Sequence, residues 1–384
     1  MSEVLSGIKI LEFGQYIAGP YAATLLAEQG ADVIKIEQPG GDPYRSENGF
    51  VVCNRSKKGI TLNLKTEEGL KIAYQLARGI DVIIENFRPG IAEKLGIGYE
   101  ALKKINPQII YCSITGFGQR GPNKEIPGWE PLVLSMATFY TEENRVGEPI
   151  YQNLLVASHY AAFLASYYIV AALYAREKSG KGERIDLSLL KSVVAMQPNI
   201  LGNSPRKIRF PFNIRGVMPL AREYQGSDGQ WFVLNATTVG FFTSLCTILG
   251  HEEWLTDPMF DGAPFLIFPP RNAQVAAILQ AIFYSKTRDE WVSILQNTPV
   301  PCAPVQSIEQ FLQHPHSAAN DLTVEIFEDK LGHVKQSNIP VVLSEMPGKI
   351  KGPSPKLGQH TQEILSALGY SKTDIAALKY HKVI

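Results

Sequence analysis

The segment from Ile8 to Glu37 constrains the fold most. IKILEF (8–13) reads as a strand, PYAATLLAEQG (20–30) as a helix and ADVIKIE (31–37) as a second strand. That order is a βαβ unit, which sets the two strands parallel and lays the helix against them. The alternation continues through ITLNL (60–64), a helical stretch from Thr66 to about Arg78, DVIIEN (81–86) and QIIYCSIT (108–115). Strands this apolar are buried on both faces of a sheet. The run SHYAAFLASYYIVAALYARE (158–177) is apolar nearly all round, which fits a core helix or a subunit contact. Beyond ERIDLSLL, residues 199–219 are rich in Pro, Gly, Asn and Arg and read as a linker. From about Tyr224 a second texture begins: DGQWFVLNA as a hairpin strand, FFTSLCTILG as a helix, and AQVAAILQAIFYSKTRDEWVSILQN as one or two more helices. A last helix follows Gly358.

A chain of 384 residues exceeds one small core, at ~100–200 residues per domain, so two cores are expected. Lys plus Arg equals Asp plus Glu at 37 each, which leaves no overall field for nucleic acid or an anionic membrane. Any anionic ligand is held locally. Neither a leader nor a membrane span is expected, so the chain is placed in the cytoplasm. Cys53, Cys112, Cys246 and Cys302 are scattered with no C-x-x-C pair, so the expectation is structural thiols and no metal.

Three clusters stand at strand ends. Phe13-Gly14-Gln15-Tyr16-Ile17-Ala18-Gly19-Pro20 lies between strand and helix, where free N–H groups favour an anion, and it lacks the G-x-G-x-x-G spacing of a dinucleotide site. Asn86-Phe87-Arg88-Pro89-Gly90 offers an amide, an aromatic face and a guanidinium. Ser113 to Pro122 carries three glycines that allow close approach of a ligand to backbone. Each alone is more often a plain turn. Together, at neighbouring carboxyl ends of an open α/β sheet, they point to a ligand edge.

With those residues in view the chain resembles the class III CoA-transferases, a family that includes formyl-CoA transferase, carnitine CoA-transferase and the α-methylacyl-CoA racemases. The resemblance rests on LSGIKILEFGQYIAGPYAATLLAEQGADVIKIEQPGGDPYR, NRSKKGITLNLK, DVIIENFRPG, LGIGYEAL, NPQIIYCSITGFGQRGP and ALYAREKSGKGERIDLSLL, with PVPCAPVQS, LGQHT and KVI later. It implies an α/β fold: a Rossmann-like large domain over 1–200 completed by 345–384, a linker over 201–223, a smaller α+β domain over 224–330, and a return segment with the C-terminal helix over 331–384. It also implies two subunits threaded as interlocked rings, with coenzyme A or acyl-CoA as substrate beside a carboxylic acid. Contacts to CoA would fall near Ile17, Gln38, Leu64, Asn86, Phe87, Arg88 and Lys94, and Gln38 stands where some members carry Arg.

The family's transfer chemistry uses an Asp at the start of the apolar helix. That carboxylate forms a mixed anhydride and then an aspartyl thioester, each keeping the energy of the original thioester. Here the matching position is Ser158, the family glycine four residues on is Ala162, and no Asp occurs between Asp81 and Asp186. An acyl-serine lies well below a thioester, so a Ser158 nucleophile would make a thioesterase. His159 is adjacent, and neighbours on a helix point roughly 100° apart. Ser158 as a helix N-cap is the plainer reading. Glu130, Glu142, Glu143 and Glu148 are the acids upstream, and Glu130 falls where relatives often carry one. Racemisation is disfavoured, because the family's P-G-H-D block is Pro127-Gly128-Trp129-Glu130. Trp129, Phe139, Tyr140, Tyr167 and Tyr168 would suit an aromatic pocket or simply a core.

Three functions remain open. The chain is the non-catalytic subunit of a heteromeric transferase, paired with a homologous aspartate-bearing subunit and moving CoA between succinate and an aromatic or alkyl succinate, as in benzylsuccinate CoA-transferase. Alternatively it is a stand-alone acyl-CoA enzyme, thioesterase or isomerase-like, forming a homodimer. The third is a CoA-binding protein without chemistry.

Overall fold

The computed structural model describes residues 3–137, 139–142, 151, 155–196, 218–264, 267 and 270–384. Glu143, Glu148 and most of the expected linker lie outside the described residues, as does the side chain of Glu142. The chain divides into two compact units, one holding residues 1–140, 151–202 and 318–384 and the other 141–150 and 203–317.

In the first unit six strands form one parallel sheet: β1 (Lys9–Glu12), β2 (Asp32–Glu37), β3 (Lys58–Thr61), β4 (Val82–Glu85), β5 (Ile110–Thr115) and β6 (Glu183–Ser188), in the order β3-β2-β1-β4-β5-β6. β4 and β5 are buried at every position, because helices cover both faces. Side chains alternate between the faces. Ile10, Val82, Ile84, Ile110 and Ile114 pack toward the helices at Ala18–Ala27 and Val156–Ser179. Leu11, Ile83 and Tyr111 share the opposite core with the Glu67–Ala77 and Tyr99–Ile105 helices and with Ile364, Leu365 and Leu378 from the C-terminal end. Thr66 caps the Glu67–Ala77 helix by accepting the Gly69 N–H at 3.1 Å.

The Val156–Ser179 helix is apolar enough over its 24 residues to cross a membrane by length and composition alone. Its alanine face (Ala157, Ala161, Ala162, Ala165, Ala172) is buried in the core instead, where small side chains let it approach the Ala18–Ala27 helix closely. Phe163, Tyr167, Tyr168, Val170 and Tyr174 on its other side are exposed. Tyr167 and Tyr168, read as lining a pocket or joining the core, therefore lie outside the core of this unit.

The second unit pairs β7 (Ala221–Gln225), β8 (Trp231–Asn235) and β9 (Cys302–Pro304) as an antiparallel sheet. Helices at Val239–Leu249, Arg271–Phe283 and Arg288–Gln296 close a core around Tyr224, Phe232, Leu245, Phe283 and Trp291. The sequence does not announce the hairpin β10 (Thr323–Glu328) and β11 (Gly332–Ser337). Its two strands pair across residues 330 and 331, where the sequence reading divides the small domain from the return segment, and both belong to the first unit. The tie is Arg55, 1% exposed, which donates to Glu28 at 2.5 Å, to Gln336 Oε1 at 3.2 Å and to the Ser337 carbonyl at 2.7 Å.

Candidate functional site

The strand order reverses between β1 and β4, and the carboxyl edge at such a switch point is where open α/β sheets hold ligands. The turns following these two strands are joined by one side chain. Asn86 Oδ1 accepts the Gln15 N–H at 2.8 Å, and Asn86 Nδ2 donates to the Gln15 carbonyl at 2.8 Å. Close approach explains Gly14: a Cβ there would meet Glu12 Oε1 at 2.8 Å and Pro20 Cδ at 2.9 Å. Tyr16 adopts a left-handed backbone with φ 61°, a conformation that costs about 1–2 kcal/mol in a residue with a Cβ. Its N–H donates to Asp42 Oδ1 at 3.2 Å, and its ring packs 5.5 Å from Trp129 and 6.1 Å from Tyr44.

Beneath this turn lies a set of buried charges. Lys35 Nζ reaches the Gly14 carbonyl at 2.9 Å, Asp42 at 3.1 Å and Glu12 at 3.4 Å. Lys57 Nζ reaches the Pro20 carbonyl at 2.7 Å, the Cys53 carbonyl at 2.9 Å and Glu12 at 3.1 Å. Arg45 pairs with Glu37 at 2.5 Å. Burial pulls the Lys57 ammonium down to about 8, with Glu12 opposing. In Lys35 the neighbouring Glu12, Asp42 and Glu37 together overcome desolvation and hold the ammonium above its ordinary value. These charges hold the turn from below.

Every residue that the resemblance assigns to CoA lies past the end of one of these strands or in the helix that follows. Ile17 is buried and offers only backbone, at the N-cap of the Ala18–Ala27 helix. Gln38, just after β2, donates to the Gly41 carbonyl at 3.3 Å. Leu64 and Phe87 pack against the second core. Arg88 and Lys94 are exposed, and neither forms an ion pair among the described residues. The amide of Asn86 is taken up by the clamp on Gln15. An open cleft of about 680 Å³ between the Glu67–Ala77 helix and the C-terminal helices contains none of these residues.

Ser158 does not cap its own helix. The helix begins at Val156 with Leu155 as N-cap, and the cap comes from Glu130, at the start of the Glu130–Met136 helix. Glu130 is 7% exposed. Its carboxylate accepts the Ala157 N–H, the Ser158 N–H at 3.2 Å and the Ser158 hydroxyl at 2.6 Å. A carboxylate fits there because the first N–H groups of a helix lack intrahelical partners and the helix dipole favours negative charge. Local sequence logic looks for the cap beside the helix, and here it lies 28 residues upstream. His159 takes no part: its Nδ1 lies 2.6 Å from the Leu155 carbonyl, and its ring packs edge-on to Tyr21.

The N-terminal half thus joins a ligand-type sheet edge to a helix terminus bearing a hydroxyl and a carboxylate. Residues 5–361 match CoA-transferase family III, and the chain belongs to that family. It is 30% identical over 395 residues to succinyl-CoA–D-citramalate CoA-transferase of Chloroflexus aurantiacus, covering 99% of this chain and 98% of that protein. It is 31% identical over 398 residues to the beta subunit of succinyl-CoA–L-malate CoA-transferase from the same organism, covering 99% and 98%. The crystal structure of Rv3272 from Mycobacterium tuberculosis aligns with a TM-score of 0.81 at 28% identity, covering 94% of this chain and 98% of that one. By class the chain is a CoA-transferase, and members of the class act on CoA thioesters.

Proposed function

We propose that this chain is the subunit without a nucleophile in a heteromeric CoA-transferase, interlocked with a homologous subunit that carries the aspartate. The pair moves CoA between dicarboxylic acids, succinate on one side and an aromatic or alkyl succinate on the other. The observation that carries this reading is the Ser158–Glu130 contact. Transfer needs covalent intermediates as energetic as a thioester, and a serine ester is not one. The nearby carboxylate of Glu130 spends its oxygens on two helix N–H groups and the Ser158 hydroxyl.

Other features support the same reading. Phe163, Tyr167, Val170 and Tyr174, spaced as one face of a helix, are exposed and suit contact with a second subunit. Ile17, Gln38, Leu64, Asn86, Phe87, Arg88 and Lys94 remain the CoA-binding set, with Arg88 and Lys94 as the free cations for phosphate. The four cysteines are free thiols, in keeping with a reducing cytoplasm.

The test is CoA exchange from succinyl-CoA to a panel of free acids, with the chain alone and mixed with its nearest genomic neighbour of the same family. Exchange only in the mixture, abolished when the neighbour's aspartate is replaced, is the expected result. Exchange by the chain alone sinks the subunit reading.

The 2.6 Å Ser158–Glu130 bond favours one other reading, a thioesterase. Ser158 Oγ would attack the thioester carbonyl while Glu130 takes its proton and passes it to the departing CoA thiolate. Water, losing a proton to the same carboxylate, would then attack the acyl-serine, and Glu130 would return that proton to Ser158 Oγ as the acid leaves. Hydrolysis by the chain alone, lost in both Ser158→Ala and Glu130→Gln, would establish it.

A further inference from the structure

Glu85, the last residue of β4, is a buried carboxylate that the transfer chemistry does not use. It is 4% exposed and forms no ion pair among the described residues. Its Oε2 accepts the Phe87 N–H at 2.8 Å. Ser113 stands directly opposite on β5. Its Oγ accepts from Gln119 Nε2 at 2.9 Å. Glu85 is thus bonded to the Asn86–Gly90 turn, and its cross-strand neighbour Ser113 to Gln119 of the Gly116–Gly121 loop. The charged and titratable groups that act on Glu85 are Glu93 from the Ile91–Lys94 helix, Arg184 from β6 and Tyr111 from β5, with Cys112 on the opposite face of the sheet.

We propose that Glu85 is a positioning residue for anion binding at the Asn86–Gly90 turn, and that the protein takes up a proton there when the pyrophosphate of a CoA-type ligand binds. The inference rests on the reading that this turn holds CoA. Its physical basis is that the buried Glu85 carboxylate accepts the Phe87 N–H inside the turn that carries Arg88, and no cation forms an ion pair with it among the described residues. Burial pushes the Glu85 carboxyl up to about 7, while the nearby Ser113 hydroxyl and the Phe87 N–H pull it down. A bound anion adds to the upward push, because like charge disfavours ionisation. Affinity therefore falls as pH rises through neutrality, and by linkage each unit of ligand-induced shift is about tenfold in affinity.

The experiment is calorimetric titration of the full chain with dephospho-CoA from pH 5.5 to 8.5, in buffers of different ionisation enthalpy. Dephospho-CoA lacks the terminal monophosphate, whose second ionisation near ~6 would add its own slope. The wild type is expected to bind about tenfold more weakly at the alkaline end and to take up protons near neutral pH. Glu85→Gln, which keeps an acceptor for the Phe87 N–H, is expected to lose the slope and the uptake near neutral pH, leaving only what Lys57, at about 8, adds at the alkaline end. Ser113→Ala removes the neighbouring hydroxyl that favours the ionised form, so its midpoint should move to higher pH. A slope that survives unchanged in Glu85→Gln overturns the proposal and leaves the CoA reading intact. No binding by the wild type at any pH removes the CoA reading and the proposal with it. The difference in unfolding free energy between Glu85→Gln and wild type, followed against pH without ligand, checks the titration itself. A midpoint below pH 5 overturns the proposal independently of binding.

Discussion

The two sides of the crevice between β1 and β4 hold buried charge in opposite ways. On the β1 and β2 side, Glu12 and Asp42 face Lys35 and Lys57, with none of these side chains exposed, and cations meet anions directly. Past β4 and β5, Glu85 and Glu130 are also buried, yet their partners are hydroxyls and backbone N–H groups. Ion pairs in a low-dielectric interior make a rigid floor, because removing one member strands the other. Burial without an ion-paired cation among the described residues leaves Glu85 holding its proton longer than an ordinary carboxyl. The first side holds the turn from below.

The strongest challenge to this contrast is Lys35→Met, which leaves Asp42 without its buried cation. It is expected to cost about 3–5 kcal/mol in urea unfolding, and a loss below about 1 kcal/mol, the scale of an exposed pair, would show that the floor is not ion-paired in solution. Next comes the pH dependence of Glu85. Its carboxyl stands at about 7 in the folded chain against an ordinary 4.5, so the folded state keeps the proton longer. Stability therefore falls as pH rises across that interval and levels off above it. Glu85→Gln should match the wild type near pH 4 and exceed it by about 3 kcal/mol at pH 8, read from paired denaturation curves. The smallest effects belong to the helix terminus. Glu130→Ala strands the Ala157 and Ser158 N–H groups and should cost about 2 kcal/mol. Ser158→Ala removes one of the donors to Glu130 and should cost about 1 kcal/mol. If Ser158→Ala matched Glu130→Ala, the hydroxyl rather than the amides would be the anchor.

The contrast bears on function through Ser158. A residue that donates to a buried carboxylate at a helix start is well placed to keep the helix in position, and Glu130 replaces the local cap that the sequence suggests. The N–H groups at the head of the Val156–Ser179 helix are met by Glu130.

The sequence by itself determined the parallel sheet, because the apolar runs at 8–13, 31–37, 81–86 and 108–115 leave no other way to bury both faces. The absence of Asp between Asp81 and Asp186 is likewise a fact of the sequence, and the residues read as ligand contacts fall past strand ends. Tertiary structure decided what those residues touch. Asn86, read as a ligand group, spends its amide on Gln15, and Tyr16 takes a left-handed backbone because Asp42 accepts its N–H. The C-terminal stretch, read as one helix, is two, at Thr361–Ala367 and Lys372–Tyr380, divided at Gly369 and restarted by a Ser371–Asp374 capping box. The β10–β11 hairpin joins the first unit through Arg55, some 280 residues away in sequence. Hydrophobic periodicity is local and survives in one dimension. Hydrogen bonds such as Ser158–Glu130 and buried ion pairs such as Lys57–Glu12 join residues that become neighbours only once the core has closed.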